Sequence, residues 1–155
     1  MAPDLRTELK QTRPFKSLAE EAYLSIQRTA AVLEHALEGA LKPSGITATQ
    51  YNVLRILRGA GPGGLCRNEI GDRLIRRVPD VTRLLDRLEE TRLIERTRST
   101  DDRRFVTTRI TRAGLRVLGE LDGTVAAIQD DQLGHLDGKA LKTLVGLLGA
   151  IRDRA

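Results

Sequence analysis

The sequence predicts a mainly α-helical fold with one small β-hairpin, and three observations carry that expectation. Apolar residues recur at spacings of three and four along much of the chain, as the buried stripe of a helix requires. Between residues 93 and 110 this period gives way to a short apolar/polar alternation around a turn rich in Ser, Thr and Asp. The formal net charge is +5 and its whole excess sits in one block: residues 73–112 hold 12 arginines against 7 acidic residues, while the rest of the chain holds 14 of each sign.

The outer bounds are those of one modest domain. A chain of 155 residues can bury a core without covalent staples. A single cysteine, Cys66, excludes an intrachain disulfide framework and suits a reducing compartment. MAPDLRTELKQTRPF lacks an apolar signal core and no stretch approaches spanning length, so a cytoplasmic protein with no membrane segment is expected. His35 and His135 stand 100 residues apart with no compact Cys, His and acidic group, which speaks against a metal site. No Gly-rich phosphate loop, HExxH or GxSxG occurs, so neither an enzyme nor a cofactor is expected.

The elements follow in order. Leu18, Ala22, Ile26, Ala30, Leu33, Leu37 and Leu41 predict one long amphipathic helix from Ser17 to about Leu41, stopped by Pro43-Ser44-Gly45. Thr47 is a suitable N-cap for a second helix with Tyr51, Leu54 and Leu57 or Ile56 facing inward, broken by GAGPGG at residues 59–64. A short third helix is expected over Arg67–Ile75, with Cys66 and Glu69 imitating a capping box. Pro79 suits the first position of a fourth, PDVTRLLDRLEET, which buries Val81, Leu84, Leu85 and Leu88 and turns Asp80, Thr82, Arg83, Asp86, Arg87 and Glu90 outward.

Leu93 and Ile94 open a strand running through Thr97, and Arg104 to about Ile110 form its partner, with Val106, Thr108 and Ile110 on one face. Ser99-Thr100-Asp101-Asp102-Arg103 is the turn between them. A two-stranded hairpin is marginal alone and must lean on the preceding helices. Helix, helix, hairpin is a winged helix-turn-helix, in which the second helix enters the major groove and Arg or Thr reaches base edges. The arginine-rich block then coincides with a reading head for a polyanion.

From Gly45 to Gly114 the chain resembles the multiple-antibiotic-resistance regulator (MarR) family of bacterial winged-helix repressors. The motifs that carry the resemblance are GITATQYNVLRIL, NEIGDRL, DVTRLLDRLE, LIER, DDRR and RITRAG. The resemblance implies that Asp80, Thr82, Arg83 and Arg87 face the major groove and that Arg104 enters the minor groove. Asp102 would hold Arg104 in place and Arg103 would take a phosphate, with Arg77 and Arg98 completing the DNA-facing set. It also implies a homodimer on palindromic or pseudo-palindromic double-stranded DNA, released by a small aromatic or phenolic effector. Tyr23, His35, Tyr51 and Arg55 are the residues offered for that ligand.

The flanking stripes agree with such a dimer. Leu133, Leu136, Leu141, Leu144, Leu147 or Leu148 and Ile151 line the C-terminal segment, and Phe15, Leu18 and Ala22 the N-terminal one. The organisation expected is residues 1–44 as arm and dimerisation helix, 45–112 as DNA-binding region and 113–155 as C-terminal dimerisation helices, all one compact domain. Two features qualify the match. Cys66 stands where the family usually has a Ser or Thr cap, and Arg92 where it most often has glycine. The other function class left open is an architectural or protein-interaction winged-helix module that binds DNA without strong sequence preference.

Overall fold

Ser17 starts the first long element: its hydroxyl accepts from the Glu20 amide at 3.1 Å, and the lysine amide before it donates to the Glu20 carboxylate. The computed structural model describes residues 4–154, and in it a single-turn helix α1 (Leu5–Glu8) precedes the long α2 (Leu18–Leu41). A 3-10 turn, Lys42–Ser44, and Gly45 at φ 71° end α2. Thr47 and Gln50 then form a reciprocal capping box for α3 (Ala48–Ala60), which buries Tyr51, Val53, Leu54 and Leu57.

The next two helices are shorter than the sequence suggests. Helix α4 covers Arg67–Arg73, two residues less than expected, because Leu74 turns extended and the Ile75 amide donates to Asn52 Oδ1 at 2.9 Å instead of to a helix carbonyl. The Cys66–Glu69 cap is present, with the Glu69 carboxylate accepting from the Cys66 amide at 2.8 Å. Helix α5 covers Val81–Glu90, so Pro79 precedes the N-cap rather than opening the helix. Asp80 takes the cap, its carboxylate accepting from the Arg83 amide at 2.9 Å.

Helix α5 ends in a Schellman turn, with the Leu93 amide bonding Leu88 O at 3.2 Å and the Arg92 amide bonding Glu89 O at 2.9 Å. Arg92 supplies the left-handed residue at φ 60°, the conformation that glycine adopts most cheaply. Arginine thus keeps the left-handed turn that glycine makes at this place in the family. Leu88 and Leu93, which flank the turn, are both buried in the core.

Strands β1 (Ile94–Arg98) and β2 (Val106–Ile110) pair antiparallel from Ile94–Ile110 to Arg98–Val106. The second strand begins two residues later than expected, because the turn consumes the amides: Arg104 donates to Asp102 Oδ1 and Phe105 to the Asp102 carbonyl, both at 3.0 Å. Leu65 adds a one-residue third strand by exchanging both backbone bonds with Thr108, at 2.8 and 3.0 Å. Thr111 then caps α6 (Arg112–Leu133), accepting from Gly114 at 3.1 Å while donating to the Arg92 carbonyl at 2.7 Å. Gly114 lets α6 cross the hairpin closely, since a Cβ there would lie 2.4 Å from the Leu93 carbonyl oxygen. The last helix, α7 (Gly138–Arg152), is capped by Asp137.

The core is the meeting point of α3, α4, α5, the hairpin and the inner side of α6, with Leu41 from the end of α2. Outside it the chain is underfilled. The 24 residues of α2 bury only Leu41, and α7 buries none. Leu18 is 81% exposed, Val145 67% and Leu147 62%, so the predicted apolar stripes do not cover one another within one chain.

Candidate nucleic-acid interface

One face of the reading head carries α5, and its exposed side chains are those that the pattern assigns. Arg83 and Arg87 are exposed and outside the ion pairs found among the described residues, as is Arg77 on the connection before the helix. Asp80 does not stand free, since its carboxylate is the helix cap. The Thr82 hydroxyl accepts from Arg67 at 3.1 Å, a contact that the sequence gives no means of reading because the partners lie 15 positions apart.

The wing tip is a worked pair. Arg104 donates to Asp102 through Nε and Nη2, each at 3.1 Å, and through its backbone amide at 3.0 Å. The Arg104 side chain is 89% exposed, so the pair aims a long cation outward instead of burying it. Asp102 also builds the turn, with its own amide bonding Ser99 Oγ, so both roles foreseen for it coincide. The Arg104 side chain and then its amide hold the Asp102 pKa below its ordinary value. The clasp is thus complete above the usual carboxylate range and is lost only as the pH falls through that lowered value. Arg98 and Arg103 flank the pair and are exposed.

Arg96 joins wing to helix. From β1 it donates to Asp86 at 2.5 Å and Glu89 at 3.0 Å, and its amide donates to the second Glu89 oxygen at 2.9 Å. The bond to Arg96 lowers the Glu89 pKa, and the bond to Glu89 raises that of Arg96. Arg109 is likewise structural, its Nε donating to the Pro62 carbonyl at 2.8 Å. Charge in this block therefore divides into arginines that brace the wing and arginines left for a ligand.

A cleft of about 410 Å3 lies between α2, α3, α6 and the connection before α5. Tyr51 and Arg55 are in its wall, with the Arg55 guanidinium 6.0 Å from the Tyr51 ring centroid. Tyr23 and His35, offered for the same site, are exposed on α2 and do not line it. Leu33, Glu34 and Leu37 are the α2 residues turned toward the cleft; His35 lies off that face, and Tyr23 lies about three turns nearer the helix start. Asn52, Ile75, Arg76, Gln129 and Gln132 complete it unforeseen, and an Arg76–Glu34 pair closes one side at 2.5 Å. Cys66 is half-buried on the other side of the head, at the α4 cap.

Known proteins can be set beside this geometry. The MarR family model matches residues 46–106. The HTH-type transcriptional repressor MdtR of Bacillus subtilis (strain 168) is 32% identical over 97 residues, 63% of this chain and 61% of that protein. The crystal structure of MarR transcription factor from Planctomyces limnophilus is 39% identical, covers 88% of this chain and 99% of that one, and has a TM-score of 0.68. A mutant MarR from E. coli, solved in complex with operator DNA, is 25% identical with a TM-score of 0.76, over 88% of this chain and 99% of that one. With this identity and coverage joined to the winged helix-turn-helix and its exposed arginines, the chain belongs to the MarR family of DNA-binding transcriptional regulators.

Proposed function

We propose that the protein is a homodimeric repressor that reads a palindromic or pseudo-palindromic operator through two winged heads and is released by a small effector. The observation that carries the reading is the division of the surface. The basic wing, α5 and the connection before it present Arg77, Arg83, Arg87, Arg98, Arg103 and Arg104 outward, while α2 and α7 expose apolar residues that water disfavours. Thr82 adds a hydroxyl beside Arg83, and Asp80 acts through the cap that orients the helix start. Residues 1–44 and 113–155 then build the dimer and 45–112 reads DNA; residues 1–3 and 155 of those segments lie outside the described structure. Among the described residues no helix is long and apolar enough to cross a membrane, and the cytoplasm is the proposed site of action.

The dimer has a direct test. Leu147 is 62% exposed in one chain, so Leu147→Glu is expected to leave the fold intact while converting the dimer to monomer. Operator affinity should fall on the order of 100-fold or more, because two linked heads lose their shared binding. A Leu147→Glu chain that sediments and binds like the wild type sinks the proposed interface.

The effector site is proposed in the cleft beside Tyr51 and Arg55, where an apolar wall and an arginine that makes no ion pair among the described residues suit an aromatic acid. A screen of benzoate-type acids for release of bound DNA tests it. Release by an acid, diminished in Arg55→Ala, is expected; release that survives Arg55→Ala places the site elsewhere.

A further inference from the structure

A second groove, of about 380 Å3, separates α5 from the wing. Its walls include Arg67 and Asn68 of α4, Thr82 of α5, and Arg104 and Phe105 of the wing, with Arg96 also lining it. The two sides face different parts of a duplex: Thr82 stands with the major-groove helix and Arg104 with the minor-groove wing. Adjacent major and minor grooves are divided by one phosphodiester strand, so DNA held by both elements must lay that strand across this space.

The charges in the groove are not equivalent. Arg96 is compensated by Asp86 and Glu89, and Arg104 is clasped by Asp102. Arg67 is exposed and makes no ion pair among the described residues. One of its N–H groups donates to Thr82 Oγ1 at 3.1 Å, which fixes the guanidinium and leaves its other donors for an anion. From this we infer that the groove is a phosphodiester channel and that Arg67 is its phosphate ligand, contributing affinity without sequence preference. The inference rests on DNA binding through α5 and the wing.

The test measures the salt dependence of binding to a duplex from beside the protein's own gene and to a scrambled duplex. The wild type, Arg67→Ala and Arg67→Lys chains are compared. Arg67→Ala is expected to weaken both duplexes by a similar factor, roughly tenfold at moderate salt. The slope of log affinity against log salt should become shallower by about 0.9 for each phosphate released, hence about 1.8 for a dimer on two half-sites. Arg67→Lys should keep the wild-type slope. An unchanged slope in Arg67→Ala overturns the inference, as does an Arg67→Lys slope as shallow as that of Arg67→Ala. If those results come with tight wild-type binding, only the phosphate role falls. A wild-type chain that binds neither duplex removes the DNA reading as well.

Discussion

Gly64→Ala is expected to lower stability by about 3 kcal/mol, a combination of backbone strain and overpacking. Gly64 sits at φ 68° and ψ −171°, a region open essentially to glycine alone. A Cβ there would also lie 2.5 Å from the Thr108 carbonyl oxygen, 2.7 Å from Arg109 Cγ and 2.8 Å from Thr107 Cγ2. The carbonyl cannot move cheaply, because it accepts the Leu65 amide that ties the hairpin to the helices. For a chain of this size the loss corresponds to a fall in melting temperature of roughly 6–12 °C. Gly63→Ala is the control: an added Cβ there meets nothing within 4 Å. Thermal melts of the two variants separate the outcomes, and equal melting temperatures would remove the wing's proposed dependence on this junction.

Arg104→Ala is expected to weaken operator binding roughly 10- to 100-fold, on the order of 1.5–3 kcal/mol, the range for one inserted arginine. Asp102→Ala should weaken it less. The arginine is then still present but no longer aimed, while a negative charge facing the phosphates is also removed. The double variant should be no worse than Arg104→Ala alone, because the carboxylate acts through the arginine. Binding titrations of the three variants check this order. If the effects of the two single substitutions simply add, Asp102 serves DNA binding by a route other than Arg104.

Most of the fold was legible because its signals are local. Thr47 caps the helix that follows, as its place in the sequence predicts, and a cap is a contact over three residues. The Asp102–Arg104 pair was legible for the same reason. Contacts between distant positions were not: Arg96 to Asp86 and Glu89, Arg67 to Thr82, Arg109 to the Pro62 carbonyl and Asn52 to the Ile75 amide. These decide which arginines are free and where α4 stops. Only these contacts show that Arg96 and Arg109 brace the wing. The cleft shows the same limit: Tyr51 and Arg55 line it from the inward face of α3, while Tyr23 and His35 of α2 do not.

The central claim is that two winged heads read a specific DNA sequence. Its most direct test is a competition titration with a duplex from beside the protein's own gene, at two salt concentrations, against scrambled competitor, with Arg104→Ala alongside. Tight binding that resists the scrambled duplex, weakens steeply with salt and is lost or sharply reduced in Arg104→Ala is expected. Equal affinity for both duplexes, with Arg104→Ala indistinguishable from the wild type, would contradict it.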